Sequence, residues 1–336
     1  MPFALKSLGV IVIAAAAAAG IWLYMLTSGG FDISLEDLRA KYEMPDSQYI
    51  TLDGIDIHYM DQGEGPAVVL SHASFHSLRA WDGMVENMTD QFRVIRFDYP
   101  NAGLTGFDEK NRYSVEHYQE LITQLTEALD IEKFHLIGTS SGATVAFRYA
   151  ANNPEKLNRF VLINSAGMPR TAITNPNRAR GSRLSRWMLS YHQPRSYWET
   201  ALNLNVTSRP PTEDHIEMNY DMNRRADRGE PARIFRRKYV TGDPEVVLDD
   251  ITAPTLIMWG MENPTVMHLE ANVMQLWMTG APTIVKKYDR LGHYPYIEEP
   301  ELFAADISAF LSGEWDDQLR QTQRVKPEDL ASFSSN

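Results

Sequence analysis

The chain has no cysteine among its 336 residues. That excludes disulfide scaffolds, thiolate zinc sites, iron–sulfur clusters and a cysteine nucleophile, while leaving the redox compartment open. Basic residues are scarce as well: 32 Lys+Arg against 44 Asp+Glu gives a net charge of −12. A general nucleic-acid binder needs the opposite balance to replace phosphate counterions, so no nucleic-acid partner is expected. No internal repeat is visible. Hydrophobic types make up 43% and charged types 23% of the residues. This ordinary composition excludes wholesale disorder, a collagen-like chain and a polytopic membrane protein. The length fits one large domain with appendages better than several equal domains.

What is present begins with an apolar run. Leu8 to Leu26 is 19 residues without a charge, including the alanines Ala14 to Ala19. At ~1.5 Å per residue this run reaches roughly 29 Å, close to the ~30 Å of a bilayer's hydrocarbon. Lys6 precedes it, Ser28-Gly29-Gly30 follow, and Trp22 and Tyr24 stand near one end, where amphipathic aromatics favour an interface. Three readings fit: an uncleaved single-pass anchor, which the length favours, a cleaved signal peptide, or a soluble buried helix. The expected location is therefore the membrane. The flanking charge is nearly balanced and leans only slightly to an extracytoplasmic body.

Beyond this run, Ser34 with Asp37 three residues on predicts a capped helix over Ser34–Tyr42. From Gln48 the texture changes to short β-rich runs: Tyr49–Leu52, Ile55–Met60, Ala67–Leu70, Phe92–Phe97, Phe134–Ile137, Phe160–Ile163, Thr255–Trp259 and Thr283–Tyr288. Asp53-Gly54 predicts a hairpin between the first two. Helical patterns such as Val115–Leu129 and Ala143–Ala151 lie between the later, continuously apolar runs. That alternation predicts an α/β fold with a mostly parallel sheet covered on both faces.

The alternation lapses between Asn164 and Ile251, which reads as a helical insertion. Gly167 to Asp250 carries 14 Lys+Arg against 11 Asp+Glu, so the rest of the chain holds −15. This gives the following expected organisation: 1–30 an N-terminal anchor and linker start, 31–47 a linker helix, 48–166 the first part of the core, 167–250 a helical cap, 251–311 the second part of the core, and 312–336 a polar tail. Trp187, Met188, Trp198, Met218 and Met222 fit either a pocket roof or the interior of the cap.

The motif that carries chemistry is Gly138-Thr139-Ser140-Ser141-Gly142, directly after one apolar run and before a helix. A sharp strand-to-helix turn exposes the Ser140 hydroxyl and crowds its neighbours, which accounts for glycine at both ends. A serine nucleophile needs a base. Among nine histidines, His293 in Gly292-His293-Tyr294 follows the last strand, at the sheet edge where parallel sheets gather reacting groups. His58 and His135 lie inside strands and read as structural. Leu70-Ser71-His72-Ala73-Ser74 follows the third strand. The amides of Ser74 and Ser141 are the expected pair to meet negative charge on a carbonyl oxygen.

With these motifs in place, the chain resembles the α/β-hydrolase fold family. His72-Ala73, Arg96-Phe97-Asp98, the Ser140 elbow, Trp259-Gly260 and Gly292-His293 occur in that family's order, and the likeness runs from about Gln48 to Leu311. It looks like the serine-nucleophile branch with a helical lid, of the membrane-anchored type. The resemblance implies a mainly parallel eight-stranded sheet with an inserted cap, a Ser nucleophile, a His base and an acid. Members that cleave epoxides or haloalkanes carry Asp where this chain has Ser140. The chain departs from the family at His72-Ala73, where members usually have His-Gly and where the alanine methyl is expected to crowd or shift the oxyanion loop. It departs again in the less glycine-rich turn Asp98–Gly103, and at the acid. Where the family has Asp after Trp-Gly, this chain has Asn263, preceded by Glu262. Three readings follow: Glu262 turns into the slot, which is the leading one; Asn263 occupies it; or a carboxylate from elsewhere reaches His293.

The expected function is hydrolysis of a carboxylic ester or lactone through an acyl-enzyme on Ser140, with an apolar small-molecule substrate and no metal or organic cofactor. The alternatives are C–C or amide hydrolysis or a lyase step on the same fold, or a catalytically weak ligand-binding protein.

Overall fold

A computed structural model of the chain describes residues 2–169 and 182–322. The expected tail beyond residue 322 and the 170–181 part of the expected cap lie outside the described residues.

Eight strands form one sheet: β1 (Gln48–Leu52), β2 (Ile55–Gln62), β3 (Ala67–Ser71), β4 (Arg93–Phe97), β5 (Phe134–Thr139), β6 (Leu157–Ile163), β7 (Thr255–Gly260) and β8 (Thr283–Tyr288). Their spatial order is β1-β2-β4-β3-β5-β6-β7-β8. Pairing is parallel from β4 to β8 across the sheet, and β2 is antiparallel to both of its neighbours. Each strand begins and ends within a few residues of its apolar run. Asp53 and Gly54 both have positive φ, +49° and +85°, as a two-residue hairpin turn requires.

The central strands are buried on both faces. β5 has no exposed residue and β7 none either. One face packs against the helices Val115–Ala128 and Ser140–Asn152, through Tyr118, Leu121, Phe147 and Tyr149. The other packs against Pro300–Leu311 and the turn around Trp81, through Met84, Tyr296, Phe303 and Phe310. Each such large apolar side chain contributes about 1.5–3 kcal/mol on burial. Two cores separated by one sheet fix the strand ends rigidly, and those ends carry the site.

Between β6 and β7 the described chain contains five helices: Arg183–Leu189, Arg195–Asn203, Glu213–Asn223, Gly229–Lys238 and Pro244–Asp249. Trp198 and Met222 are buried, Met218 is partly so, and Trp187 is exposed. Met222 and Met218 pack with Leu38 and Leu104, so these two serve as packing against the linker helix Leu35–Tyr42. Ser34 caps that helix by accepting from the Asp37 N–H at 3.0 Å.

The apolar run lies in a helix, Pro2–Thr27. Ile11, Val12, Ile13, Ile21, Trp22, Leu23 and Tyr24 on it are exposed, whereas Leu26 is buried. Among the described residues no helix is long and apolar enough to cross a membrane. The spanning anchor expected over Leu8–Leu26 is thus not supported at this level; what stands is the helix.

Candidate active site

β5 runs straight into the helix Ser140–Asn152, and Ser140 takes φ +51° at the junction. A non-glycine residue holds that conformation only where its surroundings enforce it. The glycines on either side do so by close approach. A Cβ on Gly138 would lie 2.7 Å from Ala143 Cα, and one on Gly142 would lie 2.3 Å from the His72 carbonyl oxygen. No side chain caps the helix at Thr139. Its first N–H groups and the partial positive charge of its N-terminus are left facing the same space as the Ser140 hydroxyl.

His293 reaches this space from the loop after β8. The loop crosses β7 so closely that a Cβ on Gly260 would meet the Gly292 oxygen at 2.3 Å. Asn263 Oδ1, an acceptor only, lies 3.1 Å from His293 Nδ1. Nδ1 therefore carries the proton, and Nε2 is left to accept from the Ser140 hydroxyl at 3.0 Å. His293 is 2% exposed, and burial pushes its pKa down to about 3. Among the described residues no opposing carboxylate offsets that effect.

The structure thus sets Asn263, one of the three readings, against His293 Nδ1, and does not bring Glu262, the leading expectation, to the ring. Asn263 Oδ1 is held by the N–H groups of Thr265 at 2.9 Å and Val266 at 3.1 Å, which aim it at the ring. Glu262 donates its backbone N–H to the Leu291 oxygen, and no bond joins its side chain to the ring. That side chain is exposed and lines a separate cavity of about 720 Å³ with Lys287 and Arg290. No carboxylate from elsewhere bonds to His293 among the described residues. The Asn263 Nδ2 group is buried without a hydrogen-bond partner.

On the opposite side, the loop after β3 brings Ser74 to Ser141. The Ser74 N–H donates to Ser141 Oγ at 2.7 Å, and the two hydroxyls are 2.6 Å apart. Phe75, next in this loop, has φ +71°. His72 anchors the loop: Nδ1–H donates to the Ala73 oxygen at 2.8 Å, and Nε2 accepts the Tyr99 N–H at 3.2 Å. Burial keeps His72 neutral by lowering its pKa. The Ala73 methyl, expected to crowd this loop, is fully buried.

The Ser140 elbow, the His293 imidazole and the Ser74 loop converge on one sheet edge. The sequence pattern described as the alpha/beta hydrolase fold matches residues 66–300, more than half of the chain. The chain belongs to the α/β-hydrolase family. It is 27% identical to the Agrobacterium fabrum protein RutD, provisionally named a carbamate hydrolase, over 110 residues that span 33% of this chain and 42% of that one. It is 24% identical to the pimeloyl-[acyl-carrier protein] methyl ester esterase of Nitrosomonas europaea, across 75% of this chain and 98% of that protein. Among solved structures it is similar to a membrane phospholipase A described as a bacterial virulence factor. The TM-score is 0.68 and identity 24%, over 94% of this chain and 99% of that one; at that identity the likeness is one of fold.

Sequence reasoning missed several residues of this α/β-hydrolase site. Asn164, at the end of β6 with φ +44°, donates from Nδ2 to the Gly292 and His293 oxygens at 2.9 Å and accepts the Gly260 N–H at 3.0 Å. His76 is buried with Nε2 unpartnered, 4.4 Å ring to ring from Tyr294. His215 lies 5.7 Å beyond it and lines a cavity of about 430 Å³ with Tyr42, Arg79, Met218 and Tyr296. Both imidazoles are scattered in sequence, and no spacing rule joins them. His58 and His135 stand in strands. His58 bridges Asp98 at 2.7 Å and Ser47 at 2.8 Å, and burial takes the pKa of His135 down to about 4.

Proposed function

We propose that this α/β-hydrolase is a serine esterase that cleaves a small carboxylic ester or lactone, with residues 167–250 as a cap over the two parts of the core. The observation that carries the reading is the 3.0 Å contact of Ser140 Oγ with His293 Nε2, on a ring whose other nitrogen is oriented by Asn263. Ser140 Oγ attacks the carbonyl carbon as its proton passes to Nε2. The amides of Ser141 and Ser74 receive the oxyanion. Nε2 returns the proton to the leaving alcohol, and the C–O bond to it breaks. Water, deprotonated by the same nitrogen, then releases the acid and frees Ser140. The residues named supply every proton transfer without a cofactor. The ester class is supported by the likeness to a methyl ester esterase, which covers 75% of this chain.

Asn263 favours a second reading, a ligand-binding protein with slow chemistry. An amide orients the ring but adds no charge to hold the imidazolium; in a serine protease the change from Asp to Asn lowers turnover about 10⁴-fold. A chain-length series of p-nitrophenyl esters separates the two. The esterase turns over with at least 10³-fold loss in Ser140→Ala. A binder gains thermal stability with ligand and shows no turnover that depends on Ser140.

We further propose that the helix Pro2–Thr27 seats the enzyme on a lipid surface. The exposed Ile11, Val12, Ile13, Ile21 and Leu23 support this reading. Recovery of full-length protein, but not residues 31–336, with sedimenting vesicles is the expected result.

A further inference from the structure

Glu298 is 0% exposed, yet it lies in Glu298-Glu299-Pro300, a sequence that reads as a solvated helix start. Its carboxylate gathers four donors from two parts of the chain. Oε1 accepts the Gly292 N–H at 2.8 Å. Oε2 accepts the N–H groups of Thr207 at 2.6 Å and Ser208 at 2.8 Å, and the Ser208 hydroxyl at 3.2 Å. A buried carboxylate satisfied this way is strongly held, and removing its charge leaves opposed N–H groups unmet.

The two parts it joins are unequal in role. Gly292 precedes His293. Thr207 and Ser208 belong to the insertion between β6 and β7. The same insertion touches the site at two more points. The Asn205 oxygen accepts the His293 N–H at 2.6 Å, and Asn205 Oδ1 accepts the Thr265 hydroxyl at 2.7 Å. Thr265 in turn holds Asn263 Oδ1. A Cβ on Gly292 would meet the Asn205 oxygen at 2.5 Å, so the contact leaves no slack. The cap segment Asn205–Ser208 therefore lies against both the base and its orienter, and Glu298 is the only charged side chain bonded to both it and the His293 loop among the described residues.

We infer that Glu298 is a positioning residue that latches the cap segment Asn205–Ser208 onto the His293 loop, so that seating of the cap sets the reactivity of the base. This rests on the reading of His293 as base. When the cap segment lifts, the His293 N–H loses its acceptor, the ring loses its cover, and the Asn263 loop loses the Thr265 tether. Substrate passage and base alignment then become one equilibrium.

The test compares full-length wild type with Glu298→Gln, Glu298→Ala and Glu298→Asp, using two readouts. The first is hydrogen exchange by mass spectrometry, which needs no activity. In Glu298→Gln, peptides covering 205–208 and 291–293 lose protection together, at least tenfold in exchange rate, while the elbow peptide over Phe134–Ala146 keeps its own. The second is the pH profile of kcat/KM on p-nitrophenyl butyrate. His293 faces Tyr294 and, beyond it, His76; its lowered pKa comes from burial alone. Uncovering the ring in Glu298→Ala moves the acid limb from near pH 3 to near pH 6 and lowers kcat at least 30-fold, with KM changed less than threefold. Glu298→Asp restores part of both. Unchanged protection at 205–208 in Glu298→Gln, or loss confined to one of the two segments, overturns the latch. A soluble variant with lower thermal stability but an unmoved acid limb overturns it too, because a purely structural role predicts that. If wild type has no esterase activity, the function reading fails, and the exchange experiment still decides the latch.

Discussion

At position 263 an amide stands where the family places a carboxylate, and the consequence is electrostatic. Asn263 Oδ1 fixes the tautomer of His293 as well as a carboxylate oxygen would, but in the proposed mechanism it carries no charge for the imidazolium formed when Ser140 loses its proton. Asn263→Asp should therefore raise kcat by at least tenfold, with about 10⁴ as the ceiling set by the serine-protease precedent. The sign of the accompanying pH effect follows from the same charge. As the proposed base, wild-type His293, with a pKa of about 3, stays neutral above about pH 4. A carboxylate introduced beside Nδ1 favours the imidazolium and raises that pKa, so in Asn263→Asp an acid limb should enter the profile between about pH 5 and 7. Glu262→Gln should leave turnover within twofold, since its exposed side chain makes no bond to the ring. Spontaneous conversion of Asn263 by ring closure is blocked, because Pro264 has no N–H to attack the side chain. Ser141 poses a separate question. Its hydroxyl occupies the Ser74 N–H in the resting enzyme. Ser141→Ala should free that donor for the oxyanion and raise kcat/KM for small esters about three- to tenfold; a fall of that size would mean the hydroxyl itself donates to the oxyanion.

At the scale of elements, the strand-to-helix elbow is a packing device before it is a catalytic one. Gly142 lets the helix Ser140–Asn152 press against the His72 carbonyl, in the loop that carries Ser74, the proposed oxyanion donor. Gly142→Ala should displace the loop and cost roughly 10²–10³ in kcat, the range seen for loss of one oxyanion donor; activity within twofold of wild type would show the loop to be placed by something else. These elements are legible in the sequence because their signals are local. Continuous apolar runs mark buried strands, Asp53-Gly54 marks the hairpin, and glycines two residues either side of Ser140 mark the elbow. Ser140 and His293 are legible for the same reason, each sitting at a strand's carboxyl end. The residues that escape act across the chain. Glu298 meets Thr207 from 91 positions away and Asn164 meets Gly292 from 128, and neither separation leaves a periodicity. Charge alone favours Glu262 over Asn263. The turn that seats Asn263 Oδ1 on two backbone N–H groups, and sends Glu262 outward, is a matter of backbone direction that adjacent residue types do not encode.

For the molecule as a whole, the buried histidines set the response to acid. His72, His76, His135, His192, His215 and His293 all have pKa values lowered, chiefly by burial. Each takes up a proton more readily unfolded than folded, so stability is full above their unfolded pKa near 6.5 and falls as pH drops through the window below it. For His135, down to about 4, and His293, down to about 3, two pH units of acidification from 6.5 remove about 5 kcal/mol together, enough to lower Tm by roughly 5–10 °C in a chain of this size. A Tm unchanged between pH 7 and 4.5 would contradict the neutral burial of these rings. The same burial links stability to catalysis: the dry setting that weakens His293 as a base also keeps it neutral and ready to accept. That linkage, and the whole functional reading, depends on one hydroxyl being activated by one imidazole. Intact-mass analysis after treatment with a fluorophosphonate decides the matter. Wild type should gain a single adduct, mapped to Ser140, at a rate at least 10²-fold lower in His293→Ala and with none in Ser140→Ala. An adduct on any other residue, or equal labelling of wild type and His293→Ala, would contradict the account.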